Sequence, residues 1–204
     1  VTDFEIYIWD KGNALAPIIF LEEVKASYHM IPTNPESRLV KKELVKISSL
    51  GEVPVLVDRR KDKKNTSIFG TSAILLYLAL DIHKLISPLP NLYTETLQWL
   101  FWQERAVFGT ILVYQQASDD KAGNSLQNKC RITLKKAFKG IDSRLRRRSY
   151  LAEEFSIADI ALFSLVRRPE EYGIWVNEYT NLRNWITRIS NRVATKKALE
   201  IKFY

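Results

Sequence analysis

Two periodicities divide the chain. In its first part short apolar strand-type runs alternate with helical stretches, and beyond the middle eighties only helical patterns remain. Phe4, Ile6 and Ile8 alternate with Glu5, Tyr7 and Trp9, which predicts a half-buried strand. Asp10-Lys11-Gly12-Asn13 is a turn by composition, and Pro17 suits the first turn of a helix carrying Ile18, Phe20, Leu21 and Val24. Tyr28 to Ile31 predicts a second strand, parallel to the first and ended by Pro32-Thr33-Asn34-Pro35. Leu39 to Ile47 predicts an amphipathic helix, with Leu39, Val40, Leu44, Val45 and Ile47 inward and Lys41, Lys42 and Lys46 outward.

The next stretch organises the rest. Val53 to Val57 is an apolar run with Pro54 near its start, where a missing N–H is tolerated, and it predicts a buried strand. Arg59 to Asn65 is too charged to bury and is expected as a hairpin tip in solvent; Ile68 and Phe69 form the return strand. Gly70 permits a change of direction, and Thr71 or Ser72 is expected to cap a helix whose apolar positions are Ile74, Leu75, Tyr77 and Leu78. A proline-opened strand, a hairpin and a helix N-terminus thus converge, and such a helix end favours an anion. The order is strand–helix–strand–helix–strand–strand–helix, with right-handed parallel crossovers.

Leu85-Ile86-Ser87-Pro88-Leu89-Pro90-Asn91 reads as a linker. The expected organisation is an α/β domain over 1–82, a linker over 83–90 and an all-helical domain over 91–204. Leu97, Leu100, Phe101, Ala106 and Phe108 mark a long helix to Gln116; 117–124 reads as a polar loop; Leu126 to Leu145 is a second long helix. Its basic end, Arg144-Leu145-Arg146-Arg147-Arg148, suits a helix C-terminus. Helices are also expected over Ser156–Val166, Leu182–Val193 and Thr195–Ile201. In Ser156-Ile157-Ala158-Asp159 the serine can accept from the Asp159 N–H while the Asp159 carboxylate accepts from the Ser156 N–H, a reciprocal cap that makes both residues structural.

Composition changes this picture little. The chain is 46% hydrophobic and 26% charged, ordinary for a globular protein. A net charge of +8 admits nucleic acid or an anionic membrane as partner, but the basic residues are scattered and no nucleic-acid motif is present, so neither is expected. Cys130 is the single cysteine, which leaves no internal disulfide and suggests a reducing, cytoplasmic setting. No run has the length of a membrane span, and the first residues lack a signal-peptide layout. His29 and His83 stand far apart without metal-ligand spacing, so no metal is expected, and no glycine-rich phosphate loop occurs.

Three stretches carry a family resemblance. Gly51-x-Val53-Pro54-x-Leu56 followed by Ile68-Phe69-x-x-x-Ala73-Ile74-Leu75-x-Tyr77-Leu78 resembles the thioredoxin-like domain of cytosolic glutathione transferases. Asn13 ahead of Leu21-Glu22-Glu23, and Tyr150-Leu151-Ala152-Glu153-Glu154-Phe155-Ser156-Ile157-Ala158-Asp159-Ile160-Ala161, resemble the same family in the same order across nearly the whole chain. With Gln98-Trp99-Leu100-Phe101-Trp102-Gln103, the subgroup most resembled is the Nu-like and yeast nitrogen-regulator-like members. The resemblance implies an α/β thioredoxin-like domain followed by an all-α domain, glutathione as co-substrate, and a homodimer. It implies backbone pairing of glutathione by Val53, with Pro54 cis and Glu52 beside it, and binding of the γ-glutamyl carboxylate by Thr71 and Ser72. It places Asn13, or alternatively Tyr7, at the sulfur as the catalytic residue, with Lys11 near it and Lys129 reaching in from the helical domain. It implies that the thiol comes from glutathione and not from Cys130, the thiolate being the nucleophile.

Two departures matter. Gly70 stands where the family carries an acid, and Lys11 where Nu-like members carry a threonine. Loss of a charge-assisted bond to the ligand's amine puts about tenfold to a hundredfold in affinity at stake. The leading expectation is a glutathione S-transferase or glutathione-dependent disulfide reductase acting on an unspecified electrophile or disulfide. The alternative is a non-catalytic transferase-fold regulatory or assembly protein, which Gly70 favours.

Overall fold

The computed structural model describes residues 2–9, 14–34, 36–63, 66–118 and 120–201. They form two compact units. One comprises Val1–Lys84 together with the chain from Arg192 onward, the other Leu85–Asn191.

The first unit is an α/β layer structure. Strands β1 (Phe4–Ile8), β2 (Tyr28–Pro32), β3 (Val55–Asp58) and β4 (Ser67–Phe69) form one sheet in the order β2-β1-β3-β4. β1 pairs in parallel with β2 and antiparallel with β3, and β3 pairs antiparallel with β4. Helices α1 (Leu15–Val24), α2 (Arg38–Ile47) and α3 (Thr71–Ile82) fill the places the pattern assigns them. The alternation in β1 holds: Phe4, Ile6 and Ile8 are fully buried, while Glu5 and Tyr7 face the other side of the sheet and are half-buried. Helix α9 (Val193–Glu200) follows the helical run in sequence but packs on α1. Arg192 secures it with two bonds to the Glu23 carboxylate, at 2.6 and 2.8 Å.

Two local expectations hold only in part, for physical reasons. In α2 only the stripe Val40, Leu44 and Ile47 meets the sheet, packing with Val55 and Val57; Leu39 and Val45 lie off that stripe and are 77% and 49% exposed. The hairpin after β3 is solvated at Lys61 and Asp62, as expected, but its base is held by buried charge. Asp58, the last residue of β3, is completely buried and receives Arg60, whose guanidinium also bonds Asp81 at 2.6 Å. Tyr77 Oη donates to Asp58 at 2.8 Å and Lys63 pairs with Asp81 at 2.6 Å. Burial opposes the Asp58 charge, but the bonds from Arg60 and Tyr77 outweigh it and hold the carboxyl below its usual range. Opposite charges nearby and distant in sequence, Asp58 and Asp81, therefore neutralise Arg60 and Lys63 at the base of a segment that looks, residue by residue, too charged to approach the core.

The second unit is all helical. α4 (Pro90–Gln103) passes through a π-helical turn (Glu104–Phe108) into α5 (Gly109–Gln116), so the long helix expected up to Gln116 is present with one irregular turn. α6 (Lys121–Arg144) starts earlier than its apolar periodicity suggests because Asp120 caps it, accepting from Gly123 N–H at 2.7 Å. α7 (Ile157–Val166) is buried along its whole length and packs on α4; α8 (Thr180–Ser190) completes the unit. No helix of the described residues is long and apolar enough to cross a membrane.

The reciprocal cap at Ser156 and Asp159 is present and opens α7. Asp159 also does more than the cap requires. Its carboxylate accepts from Ser156 N–H at 3.1 Å, Leu151 N–H at 3.0 Å and the Trp185 indole N–H at 2.8 Å, all inside the core. Burial pushes its pKa up to about 6, the donors pulling the other way. A folded pKa above the unfolded value means the group's contribution to stability is full below about pH 4 and declines as the pH rises through about 6. Asp159→Ala leaves three buried donors unpartnered at about 1–3 kcal/mol each, so a loss of about 3 kcal/mol or more is expected. Chemical denaturation at a series of pH values checks both points: the gap between parent and variant should narrow from pH 4 to 7, and an unchanged midpoint would refute the role.

Candidate functional site

Three strand ends and a helix start meet at one edge of the first unit. Tyr7 stands opposite Val55 across β1 and β3, and Val55 opposite Phe69 across β3 and β4. The residues just outside those positions are therefore neighbours: Val53 and Pro54 ahead of β3, and Gly70 after β4. Gly70 N–H donates to Pro54 O at 3.1 Å, and the Val53-Pro54 peptide is cis. Val53 is half-buried, and its backbone N–H and C=O have no backbone partner among the described residues.

Gly70, rather than Thr71 or Ser72, is the N-cap of α3, with φ 85° and ψ 132°. That backbone is one that L side chains rarely adopt, which is the physical reason for a glycine here. The first intrahelical bond runs from Ile74 N–H to Gly70 O at 3.0 Å. Thr71, Ser72 and Ala73 form the first turn of α3, and their N–H groups point out of the positive end of its dipole. No acidic residue occupies the first turn of α3. An extended backbone next to a helix N-terminus suits a short peptide-like ligand that carries a carboxylate: the strand edge pairs its amide and the helix end takes its charge.

The structure brings Val53, Pro54, Thr71 and Ser72 together at this edge, and both hydroxyl residues are buried, at 6% exposure each. Glu52 precedes Val53 and is exposed. Tyr7 is half-buried and packs, as Val53 does, against the cluster of Leu44, Val55 and Val57. Its hydroxyl donates to Glu5 Oε2 at 3.2 Å, and Arg59 meets the same carboxylate at 2.6 Å. Burial, then the Glu5 charge, raises the Tyr7 pKa, so the phenol stays protonated and turned to Glu5. Lys11 and Asn13 lie outside the described residues. Lys129 is exposed on α6 in the second unit. Among the described residues no group of three or more His, Cys, Asp or Glu is placed to hold a metal ion.

Sequence reasoning assigned the cap of α3 to a hydroxyl side chain and so understated Gly70; a glycine directly before a Thr-Ser helix start is the signal that was available. It also gave no hint that Glu5 engages Tyr7, since that pairing depends on the two residues sharing the α2 face of β1.

Comparison with known proteins completes the assignment. The profile described as glutathione S-transferase, N-terminal domain, matches residues 5–80, and that for the C-terminal domain matches residues 102–192. The disulfide-bond oxidoreductase YfcG of Escherichia coli is 28% identical over 202 residues, which cover 96% of this chain and 94% of the relative. An uncharacterised glutathione-transferase-like protein of Streptococcus mutans is 27% identical over 98% of this chain and 82% of its own length. Among solved structures, Ure2p in complex with S-hexylglutathione shares the fold with a TM-score of 0.87 at 21% identity, covering 98% of this chain and 99% of that one. A Pseudomonas putida glutathione transferase with glutathione disulfide bound gives 0.82 at 24% identity, covering 97% and 91%. With the sheet order, the edge built by Val53, Pro54 and the start of α3, and both halves of the chain matched in order, this chain belongs to the glutathione S-transferase family.

Proposed function

We propose that this protein binds glutathione and uses its thiolate, as a glutathione S-transferase or a glutathione-dependent disulfide reductase. The observation that carries the reading is the juxtaposition of the Val53 backbone, which has no backbone partner among the described residues, with the N-terminus of α3, joined by the Gly70–Pro54 bond. In this reading Val53 pairs with the cysteinyl amide of glutathione. The first-turn N–H groups of α3, with Thr71 and Ser72, take the γ-glutamyl carboxylate, a charge-assisted contact. Asn13 donates to the sulfur and favours the thiolate, with the Lys11 cation assisting; Lys129 stands only as the helical-domain cation that the family resemblance implies. The thiolate attacks either an electrophilic carbon or one sulfur of a disulfide, and in the second case the other sulfur departs as a thiolate and is protonated by solvent. The name of the E. coli relative and the disulfide bound in the P. putida protein support the second reaction. We place the protein in the cytoplasm, in keeping with a lone, buried Cys130, and as a homodimer, in keeping with the family resemblance.

Gly70 supports one rival, a family member that no longer catalyses. Calorimetric titration with glutathione and with its disulfide separates the two. Saturable binding at or below millimolar concentration is expected. Turnover should then fall in Asn13→Ala far more than affinity does, while Tyr7→Phe, whose hydroxyl serves Glu5, should change turnover little. No binding of either ligand would leave the non-catalytic reading.

Gly70→Glu gives a second test. A Cβ at Gly70 meets nothing within 4 Å, so the cost is confined to the backbone angle, about 1–2 kcal/mol. The restored carboxylate should strengthen glutathione binding by about tenfold through the ligand's amine. Melting temperature and affinity measured on the same preparation should therefore move in opposite directions; lower stability with no gain in affinity would count against the γ-glutamyl assignment.

A further inference from the structure

The run Arg144-Leu145-Arg146-Arg147-Arg148 does not act as one basic helix end. Arg144 is turned inward: its guanidinium donates to Leu151 O at 2.9 and 2.7 Å, meets Glu95 and lies over the Trp99 ring. Arg148 pairs with Glu153 and Glu95. Arg146 and Arg147, on the turn Leu145–Arg147, are exposed and make no hydrogen bond or ion pair with any described residue. They line a cleft of about 280 Å³ whose walls also carry Arg148, Ser149, Asn184 and Arg188. No acidic side chain lines it. The nearby Asp142 is engaged elsewhere, accepting from the N–H groups of Asn181 and Leu182 at 2.7 and 3.0 Å and so holding the start of α8. Arg188 is anchored to the wall by one bond, Nη1 to Ser149 O at 2.7 Å, out of the five donors a guanidinium offers.

Arg148 has its counter-charge in Glu95 and Glu153, but Arg146, Arg147 and Arg188 have no carboxylate partner among the described residues; such cations in one cleft repel one another, and an anion relieves that repulsion. The geometry points to a binding site for a tetrahedral dianion, the phosphate or sulfate group of a small molecule. Guanidinium groups fork onto such oxyanions in bidentate fashion, and Asn184 adds a neutral donor. The volume lies at the low end for ligand pockets, which fits one such group with a few attached atoms. A nucleic-acid backbone would call for a stripe of cations along a surface, whereas these line one cleft. The site lies wholly within Leu85–Asn191 and does not depend on the glutathione reading.

Titration with inorganic phosphate, pyrophosphate and sulfate, at an ionic strength held constant with sodium chloride, tests it. Saturable one-site binding is expected, tightest for pyrophosphate and weakened about tenfold or more in the Arg146→Gln/Arg147→Gln double variant. The melting temperature of that variant in chloride alone should match the parent, since neither side chain holds the fold. If it melts lower, the single variants carry the comparison, and less than about a twofold loss in both overturns the site. Binding no stronger than chloride explains, or binding of a short oligonucleotide that pyrophosphate does not displace, overturns it as well.

Discussion

The first unit depends on a clamp between β3 and α3 that closes at both ends. At one end Gly70 N–H holds Pro54 O at 3.1 Å. At the other, Asp58 at the end of β3 and Asp81 near the end of α3 share Arg60, with Tyr77 reaching from α3 to Asp58. The backbone bond contributes about 1 kcal/mol net, but the buried ionic pair cannot be opened cheaply, because removing one partner strands a charge in the core. Between the two ends, Val55, Leu56 and Val57 of the strand and Ile74, Leu75, Leu78 and Ala79 of the helix are buried. The helix axis is therefore fixed relative to the strand, and with it the direction in which the α3 N-terminus faces. A binding edge made mostly of backbone N–H and C=O groups needs such fixing, since a shift of the helix would move every donor at once.

How much of this the sequence discloses depends on the range of the interaction. Alternation in β1, the apolar run in β3 and the Ser156–Asp159 cap are local patterns, and each appears where the residues say it should. Leu39 and Val45 mislead because a helical stripe specifies which residues share a face but not how wide a surface awaits it; α2 meets only Val55 and Val57 with their neighbours. Arg59 and Arg60 mislead for the opposite reason. Their charge argues for solvent until Glu5, Asp58 and Asp81 are brought beside them, and that proximity is a product of the fold. The site shows the same division. The Val53-Pro54 and Gly70-Thr71-Ser72 signals are short and legible, whereas the engagement of Tyr7 with Glu5 and the separation of Arg146 and Arg147 from Arg144 and Arg148 are set by tertiary contacts.

The second unit carries its own constraint at Asp159. A fully buried carboxylate is costly, and four donor contacts from Ser156, Leu151 and Trp185 are arranged around it. It joins the loop before α7, the start of α7 and, 26 positions on, the α8 tryptophan in one network fixed by one side chain. Trp185 also packs edge-on against Phe163 with ring centroids 6.3 Å apart, so the polar network and the apolar core share a wall. Removing the carboxylate would leave those donors unsatisfied in the core. Burial, opposed by these donors, accounts for the raised pKa without a catalytic role: perturbation by burial is a sign of a catalytic acid only where a substrate can reach the group.

Position 70 is where folding and binding make opposed demands. The turn from β4 into α3 requires φ near 85°, and glycine meets that without strain. The amine of a γ-glutamyl ligand asks for an acid at the same place. An L residue there costs about 1–2 kcal/mol of backbone energy, while a charge-assisted bond returns about 1.5–3 kcal/mol on binding, so the two are of the same size. A chain that keeps the glycine has a more stable turn in the absence of ligand and a weaker hold on the amine in its presence. In the reading proposed above, the carboxylate end of the ligand is not affected, because it is assigned to the first turn of α3, which glycine leaves in place. The departure at Gly70 therefore weakens one end of the site and preserves the other, and a weakened glutathione site follows from the geometry more directly than an abolished one.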